Sequence, residues 1–157
     1  MKNLIFICIL VISNCLYSQK DKLTVSGNWS KTFSASDISD AGNDYPNSFI
    51  SSTNQSLITV SPGGNSTNYI NINVLVHRED IAWDNGLNLK IKRSTIGNGS
   101  ISGGLTFQTI NTTDSNLFSC TGNHTNVPLQ YEITGISVLL PVPVEPYSTT
   151  VVFTLMN

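Results

Sequence analysis

Apolar side chains in this chain recur at every second position, and nowhere do they hold the three- and four-residue spacing that would give a helix a buried stripe. The cleanest run is Tyr69 to His77, where Ile70, Ile72, Val74 and Val76 fall on one side and Asn71, Asn73 and Leu75 on the other. Period two over such a length is the mark of a strand with one face in a core and one in water. Weaker copies follow: Leu23, Val25, Gly27, Trp29 and Phe33; Gln55 to Val60; Leu87, Leu89 and Ile91; Leu105 to Ile110; Leu117 to Cys120; Leu129 through Gly135 to Leu140; and Thr149, Val151, Phe153 and Leu155. Between them stand turn formers, Pro62-Gly63-Gly64, Asp84-Asn85-Gly86, Gly97-Asn98-Gly99 and Gly103-Gly104, and a connector carrying Pro141, Pro143 and Pro146. The stretch from Ser34 to Asn54 is polar and broken, a long connection with at most one short extended piece. The expected architecture is all-β, a two-sheet antiparallel immunoglobulin-like sandwich of about eight strands. Asp84-Asn85-Gly86 is expected to close a hairpin onto Leu87 to Ile91, and Gly135 to mark a bulge.

The N-terminus obeys a different logic. Lys2 is followed by the unbroken run Leu4 to Ile12 and then by Leu16-Tyr17-Ser18-Gln19. A basic head, a short apolar core and a small residue at a cleavage point make a secretory signal. The run falls well short of the ~20 apolar residues that cross a bilayer, so no membrane span is expected. Residues 1–18 are read as the signal peptide and residues 19–157 as a single sandwich domain, secreted or held at the cell surface. Cys15, in Ile12-Ser13-Asn14-Cys15, leaves a periplasmic or outer-membrane lipoprotein as the alternative. Cleavage removes Cys8 and Cys15, so Cys120 has no partner for an intramolecular disulfide and is expected to be a buried small hydrophobe.

Charged residues make up 11% of the chain, against about 25% in ordinary globular proteins. The formal net charge of −2 is spread along the sequence. Lys90, Lys92 and Arg93 form the one basic group, and they are expected to solubilise a strand end. Nucleic acid, which demands a basic patch, is therefore not an expected partner.

Candidate chemistry gathers after the best strand, where His77, Arg78, Glu79, Asp80 and Asp84 surround Trp83. His77, Glu79, Trp83 and Asp84 are the candidate ligand-binding residues, a small polar site suited to a sugar or a cation; a solvated loop with paired charges is the alternative. Asp37, Asp40 and Asp44 invite a calcium reading but lack the EF-hand spacing, and ordinary turn formation accounts for them. His77 and His124 have no zinc-ligand spacing, no Ser lies in a nucleophile elbow and no glycine loop opens a helix. No catalytic residue, metal site or cofactor is assigned, and the chain is read as a non-enzyme.

Val127-Pro128-Leu129-Gln130-Tyr131-Glu132-Ile133-Thr134-Gly135, a Pro-rich connector, and Pro146-Tyr147-Ser148-Thr149-Thr150-Val151-Val152-Phe153-Thr154-Leu155 follow in order. This segment resembles the closing strands of bacterial fimbrial subunits and of spore-coat-U-like secreted proteins, in which a Tyr opens a last strand of alternating Val and Thr. The resemblance implies export, an immunoglobulin-like sandwich and a structural role at the cell surface or in a fibre, with copies of itself or other surface subunits as partners. Subunits of that kind donate an N-terminal strand to a neighbour. Leu23, Val25 and Trp29 are either such an assembly strand or the protein's own first strand. The function expected is that of an exported, non-catalytic surface or structural protein, with a fimbrial-type subunit as its specific form; the alternative is a secreted glycan- or ligand-binding sandwich module.

Overall fold

The computed structural model describes residues 21–38, 40, 42–61, 63, 71–95, 100–140 and 146–156. The expected signal segment, the first residues of the Tyr69 strand, the Gly97-Asn98-Gly99 turn and Pro141 and Pro143 lie outside them. Among the described residues, ten strands run in the order β1 (Lys22–Ser26), β2 (Ser48–Ile50), β3 (Ser56–Ser61), β4 (Asn71–Ala82), β5 (Asn88–Arg93), β6 (Ile101–Ser102), β7 (Gln108–Thr109), β8 (Ser115–Thr121), β9 (His124–Thr134) and β10 (Ser148–Met156). The helical content of the described residues is one 3-10 turn, Ala35–Asp37. The strands pair antiparallel throughout. One sheet has the order β1-β3-β9-β5-β7, with β2 also pairing β9, and the other the order β10-β4-β8-β6.

The alternation read from the sequence fills the space between these sheets. Ile72, Val74 and Val76 of β4 are fully buried, as are Ile58 and Val60 of β3, Ile91 of β5, Phe118 of β8 and Leu129 of β9. Adjacent Leu117 and Phe118 are both buried because the β4–β8 register slips between Val74 and Leu75, so β8 carries an extra residue there. A second slip sits between Ile58 and Val60 of β3, where one residue, Thr59, faces two, Thr125 and Asn126. Asn126 takes up the extra length at φ 55°, and its N–H donates to Thr59 Oγ1 at 3.0 Å. That shift turns His124 inward, in phase with Val127 and Leu129.

β9 is the central element of the larger sheet, and it is served on one side by two successive short strands. Ser51 makes the join between them. Its N–H donates to Tyr131 O at 2.9 Å, its Oγ accepts from Tyr131 N at 2.8 Å, and its carbonyl accepts from Gln130 Nε2 at 2.9 Å. The buried break in the ladder is thus fully hydrogen-bonded.

Several local expectations give way to long-range pairing. β1 ends at Ser26: Gly27 turns at φ +98°, and a Cβ there would lie 2.5 Å from Gln55 O. Trp29 and Phe33 consequently leave the strand. The expected hairpin at Asp84-Asn85-Gly86 is a crossing from one sheet to the other, since β4 pairs β10 and β8 while β5 pairs β9 and β7. Both strands carry an apolar face, and facing each other across the core buries both at once. Leu105 to Ile110 holds only the short β7, and β9 stops at Thr134. Gly135 is the end of that strand rather than a bulge in it, at φ +85° and so close to the β4–β5 turn that a Cβ would meet Gly86 O at 2.0 Å. Arg93 does not solubilise a strand end. It is 1% exposed, and its guanidinium donates to Gly103 O from Nη2 at 2.7 Å and to Thr95 O from Nη1.

Candidate functional site

β4 runs five residues past His77, to Ala82, because Ser148, Thr149, Thr150 and Val151 of β10 continue the ladder alongside Ala82, Asp80, Glu79 and Arg78. The residues expected in a loop therefore alternate across a strand. His77 and Glu79 take the outer face and Arg78 the core side, and this divides the candidate ligand site in two.

On the outer face, His77 bridges two carboxylates. Its Nδ1 lies 2.6 Å from Asp114 Oδ1 and its Nε2 3.7 Å from Glu79 Oε1. The imidazole stands between the acids, so the three groups do not share a vertex. On the core side, Arg78 Nε donates to Ile110 O at 3.0 Å, Nη1 pairs with Asp80, and the guanidinium lies 5.4 Å from the Trp83 ring centroid. Trp83 packs against the core and donates from Nε1 to Leu87 O at 3.1 Å. Asp84 Oδ1 accepts from Gly86 N at 2.7 Å, which fixes the turn. Both the polar atom and the stacking face of Trp83 are therefore engaged within the protein.

Two of the three loop acids, Asp37 and Asp44, are equally committed. Asp37 accepts from Lys31 Nζ at 2.8 Å and from Ser34 N at 2.9 Å, and these bonds hold its carboxyl below the usual range. Asp44 accepts from Ser137 Oγ at 2.6 Å, Val138 N at 2.8 Å and Tyr45 N at 2.7 Å, with the same consequence. Asp44 thereby clips the segment before β2 to the turn after β9. Among the described residues, no group of three or more His, Cys, Asp or Glu side chains could hold a metal ion.

Leu23 and Val25 lie on β1, whose whole length pairs with the chain's own β3. Trp29, beyond the turn at Gly27, stacks on Tyr131 with ring centroids 6.2 Å apart and planes 16° from parallel. Phe33 sits in a separate cluster, edge-on to Tyr45 and Phe49, with Lys31 Nζ 4.9 Å from the Phe49 ring. Lys90 pairs with Glu132 at 3.1 Å and Lys92 lies 4.6 Å from the Phe107 ring, so the basic group is dispersed rather than presented as a patch. Cys120 is buried, and burial pushes its thiol pKa up, away from the reactive thiolate.

One cavity has no counterpart among the candidates read from the sequence, a shallow cleft of about 510 Å³ between Thr95, Ile101 and the segment Asn123 to Pro128. The bulge at Asn126 shapes it, and no local composition announces a register slip. Its rim offers neutral amides and hydroxyls. His124 contributes little chemistry there, since the residue is largely buried and its Nε2 lies 2.9 Å from Thr121 O. The arrangement can hydrogen-bond a neutral polar group but lacks the aromatic platform on which sugars stack.

Among the described residues no helix is long and apolar enough to cross a membrane. No family model, curated protein or solved structure matches this chain.

Proposed function

We propose that this chain is an exported, non-catalytic surface or structural protein, a subunit of the fimbrial kind in which the sandwich itself is the working part. The observation that carries the reading is the asymmetry of the sheet edges. Among the described residues, the sheets end on one side in β6 and β7, of two residues each. On the other they end in β1 and in β10, which is nine residues long and has no charged side chain from Ser148 to Met156. Monomeric sandwiches blunt such an edge with charge, Pro or brevity, because exposed N–H and C=O groups template pairing with another chain. The engagement of Trp83, Asp84, Asp37 and Asp44 in turns and clips points the same way, toward side chains that build the scaffold. The signal-like N-terminus supports export to the surface or the medium.

Expression of the full chain in a bacterial host tests this. The expected product is outside the cytoplasm, begins at Gln19 and associates on purification. A product that keeps Met1 and stays in the cytoplasm would overturn the reading.

A second reading, a secreted glycan- or ligand-binding module, draws on the polar cleft at Asn123 to Pro128. Glycan-array binding that disappears in Asn123→Ala would favour it, and an empty array would remove it.

A further inference from the structure

We infer that β10 is a homotypic docking edge, pairing antiparallel with β10 of a second copy about a twofold axis at Val152 and joining the two four-stranded sheets into one. The inference rests on the assembly reading above and names its partner. Among the described residues, β10 pairs with β4 alone and lies at the end of its sheet.

The core does not stop short of this edge. Phe153 and Leu155 sit opposite Val76 and Val74, which are fully buried, yet Phe153 and Leu155 are themselves only partly covered, as is Val151. Leu23 of β1, which comes near β10 at this edge, is also partly covered and Val25 is 43% exposed. The apolar layer between the sheets therefore reaches this edge without being fully covered there. A further strand on β10 would continue that layer and satisfy the outward backbone groups together.

Three features select a second copy in antiparallel register. A strand paired with itself about a dyad puts residues of the same parity opposite each other, so the row of Thr149, Val151, Phe153 and Leu155 meets only itself, as does the outer row. A dyad at Val152 gives full overlap from Ser148 to Met156, with Thr150 facing the second copy's Thr154 and Val151 facing its Phe153. Self-pairing also brings any charge on the strand close to its own image, and β10 carries none. The faces fix the direction. A twofold axis normal to the sheet makes the pair antiparallel and keeps the apolar rows of both copies on the same face, whereas a twofold axis along the strand makes it parallel and turns the second copy's apolar row to the opposite face.

The test uses the mature chain and two double variants on the exposed outer row, Thr150→Lys/Thr154→Lys and Thr150→Glu/Thr154→Glu, with circular dichroism and melting to confirm that each folds. Sedimentation over a concentration range should show a dimer for the wild type. Each variant alone should self-associate at least roughly tenfold more weakly, because the twofold register sets two like-charge pairs face to face. An equimolar mixture of the two variants should recover the dimer. A wild-type chain that remains monomeric at the highest soluble concentration overturns both this inference and the assembly reading. Association that survives in both variants, or variants that separate and fail to re-pair on mixing, overturns the β10 pairing and leaves assembly through another surface standing. Should the variants fail to fold, loss of amide-exchange protection along β10 on diluting the wild type replaces them; protection that ignores dilution overturns the inference.

Discussion

The Tyr131 hydroxyl lies 2.7 Å from the Ser56 hydroxyl, a buried side-chain bond between β9 and β3 just where the larger sheet changes one partner strand for another. Burial pushes the Tyr131 pKa up, and the bond to Ser56 opposes that shift. The ring carries Trp29 on one side, and the Tyr131 backbone carries Ser51 through two hydrogen bonds. One residue thus ties the β1 exit, the β2–β3 join and the sheet centre together.

Removing half of the hydroxyl pair leaves a buried polar group without its partner, which costs about 1–3 kcal/mol. Tyr131→Phe and Ser56→Ala should each lower the urea unfolding free energy by about that amount. The double variant should lose less than the two losses added together, because it leaves no orphan. Full additivity would show that the two hydroxyls act independently.

Arg93, the last residue of β5, staples the segments on either side of β6, filling the end of the core while donating to the Gly103 and Thr95 carbonyls. Burial lowers its pKa, yet a guanidinium stays protonated across the working range. Arg93→Met keeps the volume but orphans those carbonyls, and it should destabilise by about 2–4 kcal/mol. Arg93→Lys, which cannot reproduce the fork, should recover only part of the loss in the same unfolding assay.

Two glycines of similar φ should respond differently. Gly135→Ala would drive a methyl to 2.0 Å from Gly86 O, and neither backbone can retreat without breaking the rim. Loss of the folded state at room temperature is expected, read by near-ultraviolet circular dichroism. Gly122, at φ +76°, has open space where a methyl would sit, with nothing within 4 Å, so Gly122→Ala should cost only the left-handed strain of about 1–2 kcal/mol.

The folded-state pKa values of Asp37 and Asp44 are depressed below 3.8, their ordinary value. A depressed carboxyl contributes stability that is fully present above its unfolded pKa and lost as pH falls through the folded value. The acid limb of stability should therefore begin near pH 3.8 and steepen below it. Asp44→Asn should flatten that limb in acid titrations followed by fluorescence, with little further change at neutral pH beyond the lost clip between Tyr45 and Ser137. An unchanged limb would remove Asp44 from the acid response.

Alternation alone determined the fold class. Period two at Ile72, Val74 and Val76, with Gly and Pro between runs, leaves a chain one way to hide its apolar faces, which is sheet against sheet. The burial of Cys120 followed from its residue type, a small hydrophobe with no basic neighbour in sequence. Partner choice did not, because hydrogen-bond pairing between strands depends on residues far apart in sequence. Asp84-Asn85-Gly86 reads as a hairpin until β4 and β5 are seen to belong to opposite sheets. His77 and Glu79 read as a loop beside Trp83 until β10 extends β4 and alternation sends them to the other face. The register slips at Thr59 and at Val74, which turn His124 inward and bury Leu117 beside Phe118, are two-strand properties without a one-strand signature. The sequence by itself thus settled the fold class and the main apolar faces of the strands. Tertiary structure alone decided which strands meet, and so left β10 at the edge, because pairing energy belongs to two strands and neither one encodes the other.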